Sequence, residues 1–189
     1  MSSSLRSIAV ECGSRLAASS CINTAASELG RLLANAGIRV VYGGVKTGLM
    51  GVLADAVLEH SGHITGVIPQ CLVEQGLLHE GLSELRIVDA MHERKRLMLE
   101  VSDAVIVLPG GVGTQDEFWD VLTCAQLGLY AKPCGILNID GFYDSLLAFI
   151  AKAQSEGFIL AADRDNLIIS DNPAQLISAL AEGCSNLAS

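Results

Sequence analysis

The chain has 189 residues, half of them hydrophobic, with a net charge of -9, an isoelectric point near 4.8 and a mean hydropathy of +0.43. Its longest uncharged stretch, residues 61–73, holds His63, Pro69 and Gln70 and falls short of the roughly 18 apolar residues of a membrane span; Glu11 breaks the N-terminal apolar run, so no membrane anchor or secretory leader is expected and the cytoplasm is the expected compartment. The acidic balance, with no basic run beyond Arg94-Lys95-Arg96, argues against nucleic acid as a partner but not against a small anion held by backbone amides.

In chain order, short apolar or β-branched runs at 7–10, 38–42, 64–68, 85–88, 104–108, 134–137 and 167–169 alternate with segments of helical period at 23–36, 48–60, 91–102, 114–129, 143–156 and 173–182. That alternation predicts βαβ units and an α/β fold whose central parallel sheet is flanked by helices, a three-layer Rossmann-like arrangement. Asn23 and either Asp171 or Asn172 are candidate helix caps, and Pro173 suits a first helical turn. No linker, repeat or low-complexity block interrupts the pattern, so residues 1–189 are expected to form one domain. Cysteines 12, 21, 71, 124, 134 and 184 form no CxxC or Cys/His cluster. They are expected as small core residues, and neither a metal nor a cofactor is expected. The four histidines, 60, 63, 79 and 92, have no ligand-like spacing.

Two predicted strands end in glycine clusters that run into helices: Tyr42-Gly43-Gly44 through Gly48-Leu49-Met50-Gly51, and Pro109-Gly110-Gly111-Val112-Gly113-Thr114. Glycine there permits a tight turn and close approach of a ligand to backbone amides, while the following helix N-terminus favours an anion. Either a phosphate cradle or simple strand-to-helix turns would use these residues. The second cluster lacks the spacing of a dinucleotide fingerprint, which disfavours NAD. Ser14 follows the first strand, where a hydroxyl serves either a ligand or a turn.

In the segment 91–102, Met91, Leu97, Met98 and Val101 fall on one arc with Arg94 in its middle, while Glu93, Arg96 and Glu100 face the other way. A guanidinium in an apolar stripe needs a partner, since burying it alone costs several kcal/mol; a structural salt bridge and a ligand site both satisfy that need. Glu117 falls in the first turn of the next helix, where a carboxylate complements the helix dipole. In that helix Phe118, Val121, Leu122, Ala125 and Leu129 form one apolar arc, and Trp119, Leu127 and Tyr130 extend apolar surface round the other side. Burial on both sides predicts either an internal helix or a homodimer interface.

These motifs together resemble the Lonely guy family of cytokinin-activating phosphoribohydrolases: Pro109 to Glu117 fits the pattern PGGxGTxxE, Met91-His92-Glu93-Arg94-Lys95 precedes it, and Cys12-Gly13-Ser14, the first glycine loop, Ala125-Gln126-Leu127-Gly128 and Lys132-Pro133 extend the likeness to Gly157-Phe158. Members have also been labelled lysine decarboxylases, but no lysine here stands in a Schiff-base setting for pyridoxal phosphate. The resemblance implies hydrolysis of N6-substituted adenosine 5'-monophosphates to free base and ribose 5-phosphate by a homodimer. It implies Arg94 and Glu117 as catalytic residues, with Ser14, Gly43, Gly44, Lys95, Gly110, Gly111, Val112, Gly113, Thr114 and Thr123 holding the nucleotide. Val45 and Gly76 depart from the family pattern, at positions that bear on the base pocket. Hydrolysis of plain AMP, and a non-catalytic nucleotide or molybdenum cofactor carrier built on the same loops, are the alternatives.

Overall fold

The structure is a computed structural model that describes residues 5–130 and 132–187. Seven strands, β1 (Ser7–Glu11), β2 (Arg39–Tyr42), β3 (Ile64–Pro69), β4 (Glu84–Val88), β5 (Ala104–Val107), β6 (Cys134–Leu137) and β7 (Leu167–Ser170), form one parallel sheet in the order β4-β3-β2-β1-β5-β6-β7. Parallel neighbours need crossovers, and the helices that make them are α1 (Ser20–Asn35), α2 (Gly48–Glu59), α3 (Gln70–Glu74), α4 (Met91–Glu100), α5 (Val112–Gln126), α6 (Asp144–Ser155) and α7 (Ala161–Asp165), followed by α8 (Pro173–Leu187).

Because helices cover both faces, the central strands are buried along their length and do not alternate between wet and dry. One face of the sheet, with Ile8, Val10, Val40, Tyr42, Ile64 and Ile106, packs against α1, α2 and α8 through Leu29, Leu33, Leu53, Leu176 and Leu180. On the other, Ala9, Val105, Val107 and Ile136 meet Phe118 and Val121 of α5 and Tyr143 and Ile150, while Val41 and Val67 meet Met98 of α4. The edge strand β4 is only partly covered and leaves Leu85 and Ile87 exposed.

Several local expectations are corrected. Helix α1 begins at Ser20, and Asn23 lies inside it, where its side-chain oxygen accepts from the Ala17 amide at 3.0 Å and its amide donates to the Ala17 carbonyl at 3.0 Å. Asn172 does cap α8, accepting from the amides of Ala174 at 2.9 Å and Gln175 at 3.1 Å. Helix α5 starts two residues early and stops at Gln126, since Gly128 adopts φ +68°; Leu127 and Leu129 therefore lie past its end and are exposed. The short helices α3 and α7 were not foreseen, because five residues are too few to display a helical period. Of the cysteines, 12, 134 and 184 are buried as expected, but 21 and 71 are exposed and 124 lies between.

Ile106 sits fully buried in the strand between β1 and β6. Ile106→Ala should therefore lower unfolding stability by about 2–5 kcal/mol, read from the midpoint of urea denaturation at unchanged slope.

Candidate active site

The chain builds β2, β3 and β4 outward from one side of β1, then crosses back to lay β5 on the other side. In an open parallel sheet such a reversal leaves a crevice beyond the carboxyl ends of the two diverging strands. The loops leaving β1 and β5 are stitched together at this point: the Leu108 amide donates to the Glu11 carbonyl at 2.9 Å, and the Gly13 amide donates to the Pro109 carbonyl at 3.1 Å. Buried Tyr143 fixes the β5 loop from below, its hydroxyl donating to the Leu108 carbonyl at 2.7 Å.

Above these loops lies a cavity of about 800 Å³. Helices α2 and α5 both start at its wall. The first amides of a helix lack intrahelical acceptors and carry its positive dipole end. At α5 these are Val112, Gly113 and Thr114, after Gly111 at the N-cap with no capping side chain, and the next amide, Gln115, turns back to the Gly111 carbonyl at 3.0 Å. A β-carbon on Gly111 or Gly113 would meet nothing, so both open onto free space, whereas Gly110 is packed against the Thr114 side chain. Helix α2 is drawn in by the Thr47 hydroxyl, which donates to the Ser14 carbonyl at 3.1 Å; Gly48, at φ +66°, lies so close to Ser14 and Arg15 that any side chain would strike their backbone. The rest of the wall is largely apolar, with Val45, Leu49, Met50, Leu72, Leu77, Met91 and Phe142.

Arg94 and Glu117 also reach this wall, although only 4% and 5% of their surfaces are exposed. The Arg94 Nη2 lies 2.9 Å from Glu117 Oε1. Its hydrogens are not aimed along that line, and neither Nη2 nor Nε makes a directed hydrogen bond, so charge holds the pair and the guanidinium retains donor capacity. Helix α4 delivers Arg94 to the end of β2, where Gly43 has no side chain to occupy the guanidinium's place.

The sequence-predicted site residues divide accordingly. Ser14, Gly110, Gly111, Val112, Gly113 and Thr114 line the cavity with Arg94 and Glu117. Gly43 and Gly44 do not: Gly43 makes room for Arg94, and Gly44, at φ +74°, places its α-carbon where a β-carbon would approach Ile68 to 2.9 Å. Lys95 faces away, clasped by Asp116 at 3.0 Å and Asp120 at 2.6 Å; burial alone would lower its pKa, but the two aspartates outweigh burial and raise it. Thr123 is exposed on α5, more than one turn beyond Glu117, the last residue of that helix to line the cavity.

Among the residues that went unrecognised, Arg15 and Phe142 line the cavity and Glu11 lies behind it. Arg15 brings a cation to the rim, and its only signal was its place in Cys12-Gly13-Ser14-Arg15. Phe142 arrives from beyond β6 and had no signal. Glu11 ends β1 beneath Glu117, and its pKa is raised well above the usual carboxyl value by burial, then by the charge and hydrogen bonding of Glu117, against the opposing fields of Arg94 and Lys95. A glutamate closing an otherwise apolar strand was the available clue.

Residues 50–180 match a family profile described as "Possible lysine decarboxylase". Cytokinin riboside 5'-monophosphate phosphoribohydrolase LOG of Oryza sativa subsp. japonica is 45% identical over 180 residues, 95% of this chain and 74% of that protein. Its counterparts LOG3 of Arabidopsis thaliana, at 44% identity, and that of Rhodococcoides fascians, at 43%, share 95% and 93% of this chain and 84% and 89% of their own lengths. The chain belongs to the LOG family. Solved structures of like fold include the molybdenum cofactor binding protein of Rippkaea orientalis, with TM-score 0.72, 20% identity and coverage of 96% of this chain and 98% of that one. The molybdenum cofactor carrier protein of Chlamydomonas reinhardtii gives TM-score 0.72 at 18% identity, covering 96% and 99%. At such identities the likeness is one of fold. In this LOG family member, no lysine lines the cavity among the described residues.

Gly43→Ala should displace the guanidinium and lower stability by about 1–3 kcal/mol, because the buried carboxylate loses its counter-charge. Thermal unfolding measures the loss, and a shifted Arg94 side-chain NMR resonance would distinguish it from generic strand damage.

Proposed function

We propose that this LOG family member hydrolyses the N-glycosidic bond of N6-substituted adenosine 5'-monophosphates, the cytokinin riboside 5'-monophosphates, giving free base and ribose 5-phosphate. The observation that carries this reading is the buried Arg94–Glu117 pair at the wall of a cavity onto which two helix N-termini open. The names of relatives at 43–45% identity support the same reaction and the same substrate class.

The residues divide the work by chemistry. The amides of Gly111 to Thr114 and the start of α2 hold the phosphate, with Arg15 at the rim adding charge. The apolar wall formed by Val45, Leu72, Leu77 and Met91 receives the base and its N6 substituent. Glu117 then faces the anomeric carbon. As the bond from that carbon to the purine nitrogen breaks, positive charge builds on the sugar and the carboxylate stabilises it, while water supplies oxygen to the carbon and a proton to the departing base. Arg94 pairs with the carboxylate and holds it in place. Ser14 and Gly110 complete the nucleotide-binding loops, Gly43 and Gly44 shape the strand end beneath them, and Lys95, through Asp116 and Asp120, ties α4 to α5 behind the reacting groups.

Glu117→Gln keeps size and helix position but removes the charge, so kcat should fall about 100-fold or more while nucleotide binding persists. Arg94→Ala should also lose activity, and the double variant should be far less impaired than the product of the single effects, as coupled residues require. Incubation with AMP and with N6-isopentenyl AMP, with products separated chromatographically, checks both points. Near-normal base release by Glu117→Gln would contradict its role. Release from AMP alone would make the protein an AMP nucleosidase, and binding without release would make it a carrier.

The working unit in this reading is a cytoplasmic homodimer of single-domain chains. No described helix is long and apolar enough to cross a membrane, and Leu127, Leu129, Phe149, Phe158 and Leu160 expose apolar surface around the end of α5, α6 and α7. Light scattering at micromolar concentration should give twice the mass of the chain.

A further inference from the structure

Glu11 is the buried charged-type residue that the reaction above leaves without a task. Side chains of a strand alternate between faces, so Glu11 shares with Ala9 the face covered by α5 and lies opposite Val107 of β5. Only 3% of it is exposed, it does not line the cavity, and it reaches the site through Glu117.

The groups around it are few. Glu117 of α5 is in hydrogen-bonding contact; Arg94 and Lys95 of α4, Cys12, which follows it in the chain, and Cys134 of β6 are the other ionisable groups near it. Arg94 is paired with Glu117, and Lys95 with Asp116 and Asp120, so Glu11 has no ion pair of its own among the described residues. Its Oε2 has no donor at all. Two carboxyls in contact cannot both ionise in such a place, and the one without a cation takes the proton. A partnerless oxygen is tolerable on a neutral carboxyl and costly on a carboxylate.

We propose that Glu11 is a positioning residue for Glu117, a protonated carboxyl beneath the site that donates its hydrogen to the Glu117 carboxylate and holds it against Arg94. Its raised pKa has the matching direction. Glu117 is thus oriented from two sides, by a cation and by a neutral donor, and its remaining acceptor positions are free for the substrate. The effect on catalysis rests on the phosphoribohydrolase reading, whereas the state of the proton does not.

The test compares the full chain with Glu11→Gln, which keeps a donor that cannot ionise, and Glu11→Leu, which has none. A carboxyl with a raised folded pKa contributes stability that is complete below the unfolded value and is lost as pH rises towards the folded one. From about pH 4.3 upward, the unfolding constant of the wild type should rise relative to that of Glu11→Gln, approaching 10-fold per pH unit until Glu11 ionises in the folded protein. A ratio independent of pH would overturn the proposal. For base release from N6-isopentenyl AMP, Glu11→Leu should lower kcat on the order of 10-fold with little change in KM, Glu11→Gln should recover part of that loss, and its activity should decline less than that of the wild type at alkaline pH. Equal kcat values for the Leu and Gln variants would overturn the positioning role. If the wild type released no base from any nucleotide, the functional reading would fail, and the stability ratio alone would still decide whether Glu11 carries the proton.

Discussion

The site depends on one buried ion pair. Arg94 and Glu117 are almost wholly removed from water and lie 2.9 Å apart on two different helices, so each is tolerable only while the other stays in place. Much of the local architecture follows from that constraint. Gly43 must lack a side chain to admit the guanidinium, α5 must begin at Val112 to bring Glu117 round in its second turn, and Lys95 binds Asp116 and Asp120 to keep α4 against α5. Beneath the pair, Glu11 adds a second carboxyl and with it a proton to be shared.

The protein's overall acidity does not decide the charge environment inside the cavity, because electrostatic attraction is strongest at short range. The net charge of -9 acts weakly through solvent, whereas the N-termini of α2 and α5 lie at the cavity wall itself. The same wall holds both helix N-termini and apolar side chains.

Fold alone does not select this chemistry. Proteins named for molybdenum cofactor binding and carriage share the architecture at 16–20% identity, a likeness of fold alone. What distinguishes this chain is the set of side chains placed there, above all a buried glutamate 2.9 Å from a buried arginine.

The seven strands, most of the helices and the two glycine loops were legible in the sequence because each is encoded locally, by hydrophobic period, by glycine at a turn and by short-range capping. Arg94 stood out for the same reason: a cation in the apolar arc of a helix violates a local rule. What the sequence could not state was which strand ends meet. β1 and β5 lie far apart in the chain and become neighbours only through the crossover after β4, and that contact alone brings Glu11 under Glu117 and Gly13 beside Gly110. It also decided against local appearances. Gly43 and Gly44 shape the strand end beneath the cavity, and Lys95, next to Arg94 in sequence, points away from it because successive residues of a helix face directions about 100° apart. Period and turn chemistry are properties of neighbouring residues and can be read one segment at a time, whereas a buried charge is decided by every element packed around it, and those elements assemble only in the fold.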